Sequence, residues 1–499
     1  MWLDSPSPSR YVAFVAACAL GLTYYSRWFV SEPDLYGLPA NVEIGAYDGD
    51  DGLYLATPVG ADVTKPGPVI YDRNGSLVWI GANTANFNSS AVLDLQFQEL
   101  DGQPVLTVFS GQVVDSHGVG TCWFLDDTYN VIANITSVGS TGADLHECHM
   151  DKASNKTAML TVYNNVTFDL TSVGGAADGT LIDCWVQEVD VSTGALLFNW
   201  SLYDHISPYE SYALPGELVD EAHWDAYHLN SIDKDSDGNY LLSVRHLNTL
   251  VKVNKDDGSV IWKMGGKGSN FTSGEGADFR FQHHASFDPD DNSRISLFND
   301  AASEFNFTAG DNARGLYFSY NTAAWTTTLI QRFDSSPYQN YSAREGSMQR
   351  FADGTAVIGW GSNPWITEHA SDGTVTFLLT LGVNTSNGPV ENYRAYKVPA
   401  IGWAGNPTTP PKLVLRDDTA YFSWNGKTAV RSWDVRGDDD ELLFAVDRAG
   451  FETNVSLDGI SSQKVVVLAK DKAGVELGRS ATLYIANKTV ATEGLIFSL

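Results

Sequence analysis

The chain has 499 residues, 43% apolar and 18% charged, with 14 Trp, 22 Tyr and 23 Phe. That much apolar and aromatic material excludes a disordered or coiled-coil protein. Sixty-one Asp and Glu against 31 Lys and Arg leave a formal charge of −30, which repels phosphate backbones and excludes nucleic acid as a partner.

Residues 11–25 (YVAFVAACALGLTYY) form an uncharged apolar run between Arg10 and Ser26-Arg27. A run of this length suits the hydrophobic core of a signal peptide better than a spanning helix, which needs about 20 residues. If Arg27 snorkels to the interface, the run extends to Val30, so residues 1–30 read as a signal peptide or an uncleaved membrane anchor. Twelve Asn-x-Ser/Thr acceptors lie along the chain, at Asn74, Asn88, Asn134, Asn155, Asn165, Asn199, Asn270, Asn306, Asn340, Asn384, Asn454 and Asn487. Both features predict secretory traffic, with the body of the protein extracellular or held on the luminal side of a membrane. With Cys18 in the apolar run, Cys122, Cys148 and Cys184 allow one internal bridge, and Cys148–Cys184 is the expected pair.

From residue 40 onward, short β-rich runs alternate with Gly, Asn and Asp turns. One hairpin recurs at 69–80, 123–135, 189–200, 251–264, 317–330 and 366–379, with spacings of about 51 to 65 residues. A second precedes each copy, at 42–57, 92–109, 146–163, 228–244, 283–298 and 346–360. Six units of four strands predict an all-β, six-bladed β-propeller over residues 40–403. A β-sandwich would not explain six ordered copies of one two-hairpin unit. Gly405 to Pro411 reads as a stiff linker, and residues 408–490 as a small C-terminal β-sandwich of immunoglobulin or fibronectin type.

In a propeller the first strand of each unit lines the central channel, so equivalent positions converge on one axis. Three consecutive units place histidine there: His146 in DLHECHMD, His228 in DAYHLNSID and His283 in FQHHASFDP. Asn230 lies two residues after His228, on the same face of an extended strand. Arg245, in LLSVRHLN, adds a guanidinium suited to clamping an oxyanion. Histidine can act as a nucleophile while neighbouring cations stabilise charge on a transferring group. There is no P-loop, no GxGxxG after a strand and no GxSxG elbow, and GGKG at 265–268 lacks the Lys-Ser/Thr ending of a phosphate loop. Three histidines could also hold a metal for hydrolysis, although no carboxylate or histidine partner recurs at ligand spacing.

The blocks DLHECHMD, YHLNSIDKDSDGNYLLSVRH, IWKMGGKGSNF and DFRFQHHASF with ISLFND occur in the order found in arylsulfotransferases. The chain resembles the fungal-type secreted branch of that family over residues 40–403. The resemblance implies a six-bladed propeller that moves a sulfuryl group from a phenolic sulfate ester to a phenol acceptor. It implies no nucleotide sulfate donor, metal or organic cofactor. It gives His283 the role of transient sulfohistidine; strand alternation sends the adjacent His284 to the opposite face, so only one of the two can face the channel and His284 is the rival. His228, Asn230 and Arg245 would bind the sulfuryl group and assist proton transfer, and His146 would be the remaining channel histidine. The alternative is a non-catalytic propeller that binds glycans or proteins at the cell surface.

Overall fold

A computed structural model of the protein describes residues 27–45, 52–82, 87, 89–114, 116–216, 223–302, 312–335, 337–338, 341–399, 402–485, 489–492 and 495–497. The apolar run 11–25 lies outside these residues. Among the described residues no helix is long and apolar enough to cross a membrane.

The chain is all-β. Four antiparallel sheets take four consecutive strands each, in chain order. Sheet two runs from Ala91–Leu100 to Val131–Ile135, sheet three from Cys148–Met150 to Leu196–Ser201. Sheet four runs from Leu229–Lys234 to Val260–Gly265, and sheet five from His283–Asp288 to Thr326–Asp334. Sheets one and six share the ends of the series. Sheet six takes Ser347–Arg350 through Val375–Leu381 and adds Ala40–Ile44 at its outer edge. Sheet one takes Leu53–Ala56, Val69–Tyr71 and Leu77–Ile80, and its inner strand is Tyr396–Val398. Each sheet packs on the next, and Ala356–Gly359 of sheet six packs on Tyr396–Val398 of sheet one.

This corrects the expected hairpin at 42–57. Ala40–Ile44 and Leu53–Ala56 do not pair; the first pairs with Leu378–Leu381 and the second with Tyr396–Val398 and Val69–Tyr71. Alternation is a local signal and cannot say which distant strand an edge will meet. The other eleven hairpins form as expected.

One device closes the outer hairpin of every sheet. A side-chain oxygen at the turn accepts backbone N–H groups two to four residues on, from Asp72, Asp126, Asp190, Asn254, Asn321 and Asp372 in turn. These Asx turns give part of the acidic surplus a structural use.

Between sheets lie apolar layers rich in aromatics. Cys122 and Cys148 meet in the layer joining sheets two and three, whereas Cys184 is buried in the layer between sheets three and four. The disulfide is therefore Cys122–Cys148, with Cα atoms 6.3 Å apart, and not Cys148–Cys184. Cys148 and Cys184 lie in one sheet but face opposite layers, so no bond between them can form. The bond anchors the strand that follows His146. Replacing both cysteines by Ala is expected to lower stability by about 3 kcal/mol, measured by denaturant unfolding of the oxidised protein and the variant.

Past Lys412 the strands form a three-stranded sheet, Lys412–Arg416, Thr419–Ser423 and Glu452–Ser456, and a second sheet built on Ser432–Arg436 and Lys464–Lys470. Their shared core includes Phe422, Trp433, Val435 and Val467. This region docks on sheets one and two. The Asn425 amide bonds both the N–H and the carbonyl of Ile80, Tyr129 Oη donates to the Gly426 carbonyl, and Arg448 pairs with Asp72.

Candidate active site

Around two of the inner strands, Leu229–Lys234 and His283–Asp288, the backbone turns out of extended geometry. His228, Phe281 and His284 all have φ between 50° and 54°, the left-handed region that bulky residues rarely occupy. Such backbone is retained only where the surroundings over-determine it, and it clusters at functional sites. Here it turns His228 toward His146 and His246.

His146, His228 and His283 share one arrangement. His146 Nδ1 lies 2.7 Å from Asp144 Oδ2, His228 Nδ1 lies 2.5 Å from Asp225 Oδ2, and His283 Nδ1 lies 2.6 Å from Asp300 Oδ2. All three carboxylates are buried. A carboxylate can only accept, so each neutral ring carries its proton on Nδ1 and leaves Nε2 with a free lone pair. Asp144 also accepts from the Gly118 amide at 2.6 Å and from Thr161 Oγ1 at 2.8 Å. A side chain at Gly118 would collide with the Leu145 nitrogen at 2.5 Å, so glycine permits that approach.

The rings converge. His146 and His228 have centroids 4.7 Å apart, and His246 lies 4.6 Å from His228. Tyr393 stands between His146, at 5.7 Å, and His283, at 6.5 Å. Tyr163 stacks on both His117 and His146, at 5.0 and 5.6 Å. His284 points away: it bonds Met348 and Tyr396 Oη and lines a cavity of about 680 Å³ that includes neither His146, His228 nor His283.

Arg245 opens a 3-10 turn, Arg245–Leu247. Its guanidinium donates to His246 Nε2 at 2.9 Å and to the Ala343 carbonyl at 2.9 Å, which fixes its charge beside the imidazoles. Asn230 is fully buried, and its amide donates to the Gln282 carbonyl at 2.7 Å, next to His283. Two-residue alternation does not extend from Asn230 back to His228, because His228 precedes the strand in left-handed geometry. Beneath these groups Arg394 binds both oxygens of Glu147, at 3.0 and 3.1 Å, and donates to the Asn230 carbonyl at 2.7 Å. Tyr393 Oη donates to the His146 carbonyl at 3.0 Å.

The electrostatics follow from burial. Desolvation, then the charges of His146 and Arg245, drives the His228 imidazole well below its usual range. Desolvation, then Arg245 and His228, does the same for His283, and desolvation and His228 for His246. These rings stay neutral at pH values where an exposed histidine would be charged. Burial raises the Asp144 carboxyl, but His146, the Gly118 amide and His117 outweigh it and hold the group well below the carboxylate range.

Stability inherits this pattern. His228, His246, His283, His284 and His369 are all depressed when folded, so the unfolded chain takes up more protons as the pH falls below about 6.5. Asp94 acts in the opposite sense: burial pushes its carboxyl up to about 7 despite Arg394, so folding binds a proton there. Five imidazoles outweigh one carboxyl. Stability is therefore expected to fall on acidification through pH 6.5, by about 1.4 kcal/mol per pH unit for each net proton taken up. Denaturant midpoints at pH 7.5 and 5.5 check the sign.

Asp225, His228 and His246 hold possible ligand atoms within 4.8 Å of one another. His228 Nδ1 is engaged with Asp225, His246 Nδ1 with the Asp225 carbonyl, and Arg245 lies on the far side of His246. A dication there would face a guanidinium, so the donor set fits a hydrogen-bond network better than a metal.

Reading the sequence missed several members of the site. Asp144 and Asp225 were detectable as acids two and three residues before His146 and His228, and Asp300 as the end of the LFND block. His246 was detectable as the end of the block that closes on Arg245-His246, whereas Tyr393 and Arg394 carried no local signal.

Lone-pair imidazoles around a fixed positive charge suit the transfer of a small anionic group. A sequence model of the arylsulfotransferase (ASST) family matches residues 96–382, more than half of the chain, and the chain belongs to that family. Its general function is accordingly arylsulfotransferase-like, and the family implies a phenolic sulfate donor and a phenol acceptor. No curated protein matches the chain. Similar solved structures include a protein of unknown function from Bacteroides caccae, 12% identical with a TM-score of 0.41, covering 70% of this chain and 99% of that one. A protein from Lactobacillus plantarum is 11% identical with a TM-score of 0.37, covering 86% and 94%. A catalytically inactive virginiamycin B lyase from Staphylococcus aureus is 10% identical with a TM-score of 0.34, covering 78% and 97%.

Proposed function

We propose that this chain is a secretory-pathway sulfotransferase of the fungal type. On this reading residues 40–403 form a six-bladed propeller, residues 408–490 an appended β-sandwich, and His283 carries the sulfuryl group. The closed packing of six sheets supports the ring. Seven acceptor asparagines are exposed, namely Asn74, Asn134, Asn165, Asn199, Asn270, Asn384 and Asn454, which supports passage through a glycosylating compartment. Asn155 is half-buried, and Asn88, Asn306, Asn340 and Asn487 lie outside the described residues. The signal peptide or anchor at 1–30 belongs to the same reading.

The chemistry runs in two halves. The His283 Nε2 lone pair attacks the sulfur of the aryl sulfate; an N–S bond forms, the S–O bond to the ring breaks, and the phenolate leaves. The acceptor hydroxyl then attacks that sulfur, its proton passes to His228 Nε2, and the N–S bond breaks. The proton held by His228 goes to the phenolate of the next donor, so protons balance over the cycle. His228 is a strong acid for this step because its site disfavours the charged ring. Arg245 offsets charge on the sulfuryl oxygens, His146 lies beside His228, and Asn230 positions His283 through the Gln282 carbonyl.

The observation that carries this reading is the Nδ1-carboxylate pairing repeated at His146, His228 and His283. A propeller that only binds glycans or proteins has no use for it. The test is incubation with an aryl [35S]sulfate, quenching under base and peptide mapping. Label on the His283 peptide that a phenol discharges is the expected result. Neither label nor transfer to any phenol tried would sink the reading.

A further inference from the structure

The connection from Leu196–Ser201, the outer strand of sheet three, to Leu229–Lys234, the inner strand of sheet four, crosses from the rim to the axis. It ends on Asp225 and His228, and the Tyr212 N–H within it bonds the His246 carbonyl, so its described part lies beside the imidazoles. Its described part exposes Tyr203 by 39%, Tyr209 by 50% and Tyr212 by 37%. Three exposed tyrosines within ten residues are too much aromatic surface for an ordinary loop.

The loop is fastened, so its rings are held in place. The Tyr212 N–H donates to the His246 carbonyl at 2.8 Å, Trp224 Nε1 to the Ala213 carbonyl at 2.9 Å, and Tyr227 Oη to the Ile206 carbonyl at 2.7 Å. Lys263 grips Glu210 at 2.8 Å, and the Lys267 ammonium lies 4.8 Å from the centre of the Tyr212 ring. Phe168 backs the ledge, with ring centroids 5.9 Å from Tyr203 and from Tyr209. Trp224 adjoins Tyr209 at 6.4 Å and directly precedes Asp225. Three residues of chain separate Trp224 from His228, so their Cα atoms lie at most about 14 Å apart. That is about the length of two or three linked aromatic rings.

We propose that this ledge is an acceptor subsite for phenols of more than one ring, the remote ring stacking on Tyr203 and Tyr209 while the reacting hydroxyl meets the histidines. The inference rests on the sulfuryl-transfer reading above. A one-ring phenol held at the imidazoles needs none of these tyrosines, and a planar ring is the group that their faces bind best. Lys267 would favour an ionised hydroxyl on the remote ring.

The test is the Tyr203→Ser/Tyr209→Ser double variant of the full chain, both sites being exposed. With 4-phenylphenol and phenol as acceptors, the ratio of the two KM values is expected to rise about tenfold, from the loss of two stacking contacts. An unchanged ratio overturns the proposal. Calorimetric titration with 4-phenylphenol supplies an arm independent of turnover. If the unaltered protein sulfates neither phenol, affinity about tenfold weaker in the variant still supports the ledge, and the failed transfer counts against the sulfuryl-transfer reading alone. No calorimetric binding overturns the ledge. So does a dimer that sediments as such and is lost in the variant.

Discussion

His283→Asn is expected to abolish sulfuryl transfer, with kcat falling by at least about a thousandfold while the circular dichroism spectrum stays native. Asparagine keeps a polar group near Asp300 but offers no lone pair at the Nε2 position. The informative partner is Asp300→Asn. With the carboxylate gone, an amide can donate to Nδ1 and move the ring proton to Nε2, where it blocks attack. Loss on the order of a hundred- to ten-thousandfold in kcat, with KM for the donor little changed, is the expected signature. Full activity in Asp300→Asn would mean that the carboxylate does not set the tautomer. Full activity in His283→Asn would remove His283 as the carrier. His284→Asn serves as control, because that ring faces Met348 and Tyr396.

Arg394→Met is expected to cost about 3–5 kcal/mol, the usual result of leaving a buried charge without its partner. The side chain is 1% exposed and is the cation for both Glu147 and Asp94, with Nη1 3.5 Å from Asp94. Its loss leaves one carboxylate bare in the middle of the fold and releases the Asn230 carbonyl. The variant Arg394→Met/Glu147→Gln should recover part of the stability, because it removes the stranded charge. It should not recover full kcat, since the Asn230 carbonyl still lacks its donor. Urea midpoints for the three proteins decide the first point and turnover the second. A single variant within 1 kcal/mol of the parent would show that the pair adds little to folding.

The hairpins were legible because their code is local: an Asp or Asn, two or three polar residues and often a Gly between β-branched runs. Ala40–Ile44 was misassigned for the same reason, since its partner Leu378–Leu381 lies more than 330 residues away. Cys148 was misassigned because a bond between layers depends on which face each thiol takes. The histidines could be found because they recur at one place in successive repeats. Asp300 lies 17 residues beyond His283, across a hairpin, and becomes its partner only when the pair of strands forms. Tyr393 and Arg394 belong to no repeat, and nothing near them in sequence marks them as supports of the site.

Tyr393 and Arg394 stand just ahead of Tyr396–Val398, the strand that completes sheet one. During synthesis the segments bearing His146, His228 and His283 leave the ribosome well before it. The donors to the His146 and Asn230 carbonyls arrive only with residues 393–394. A nascent chain that stops short of them holds every histidine yet lacks the props that set their geometry, so the cluster stays unbraced until sheet one is complete.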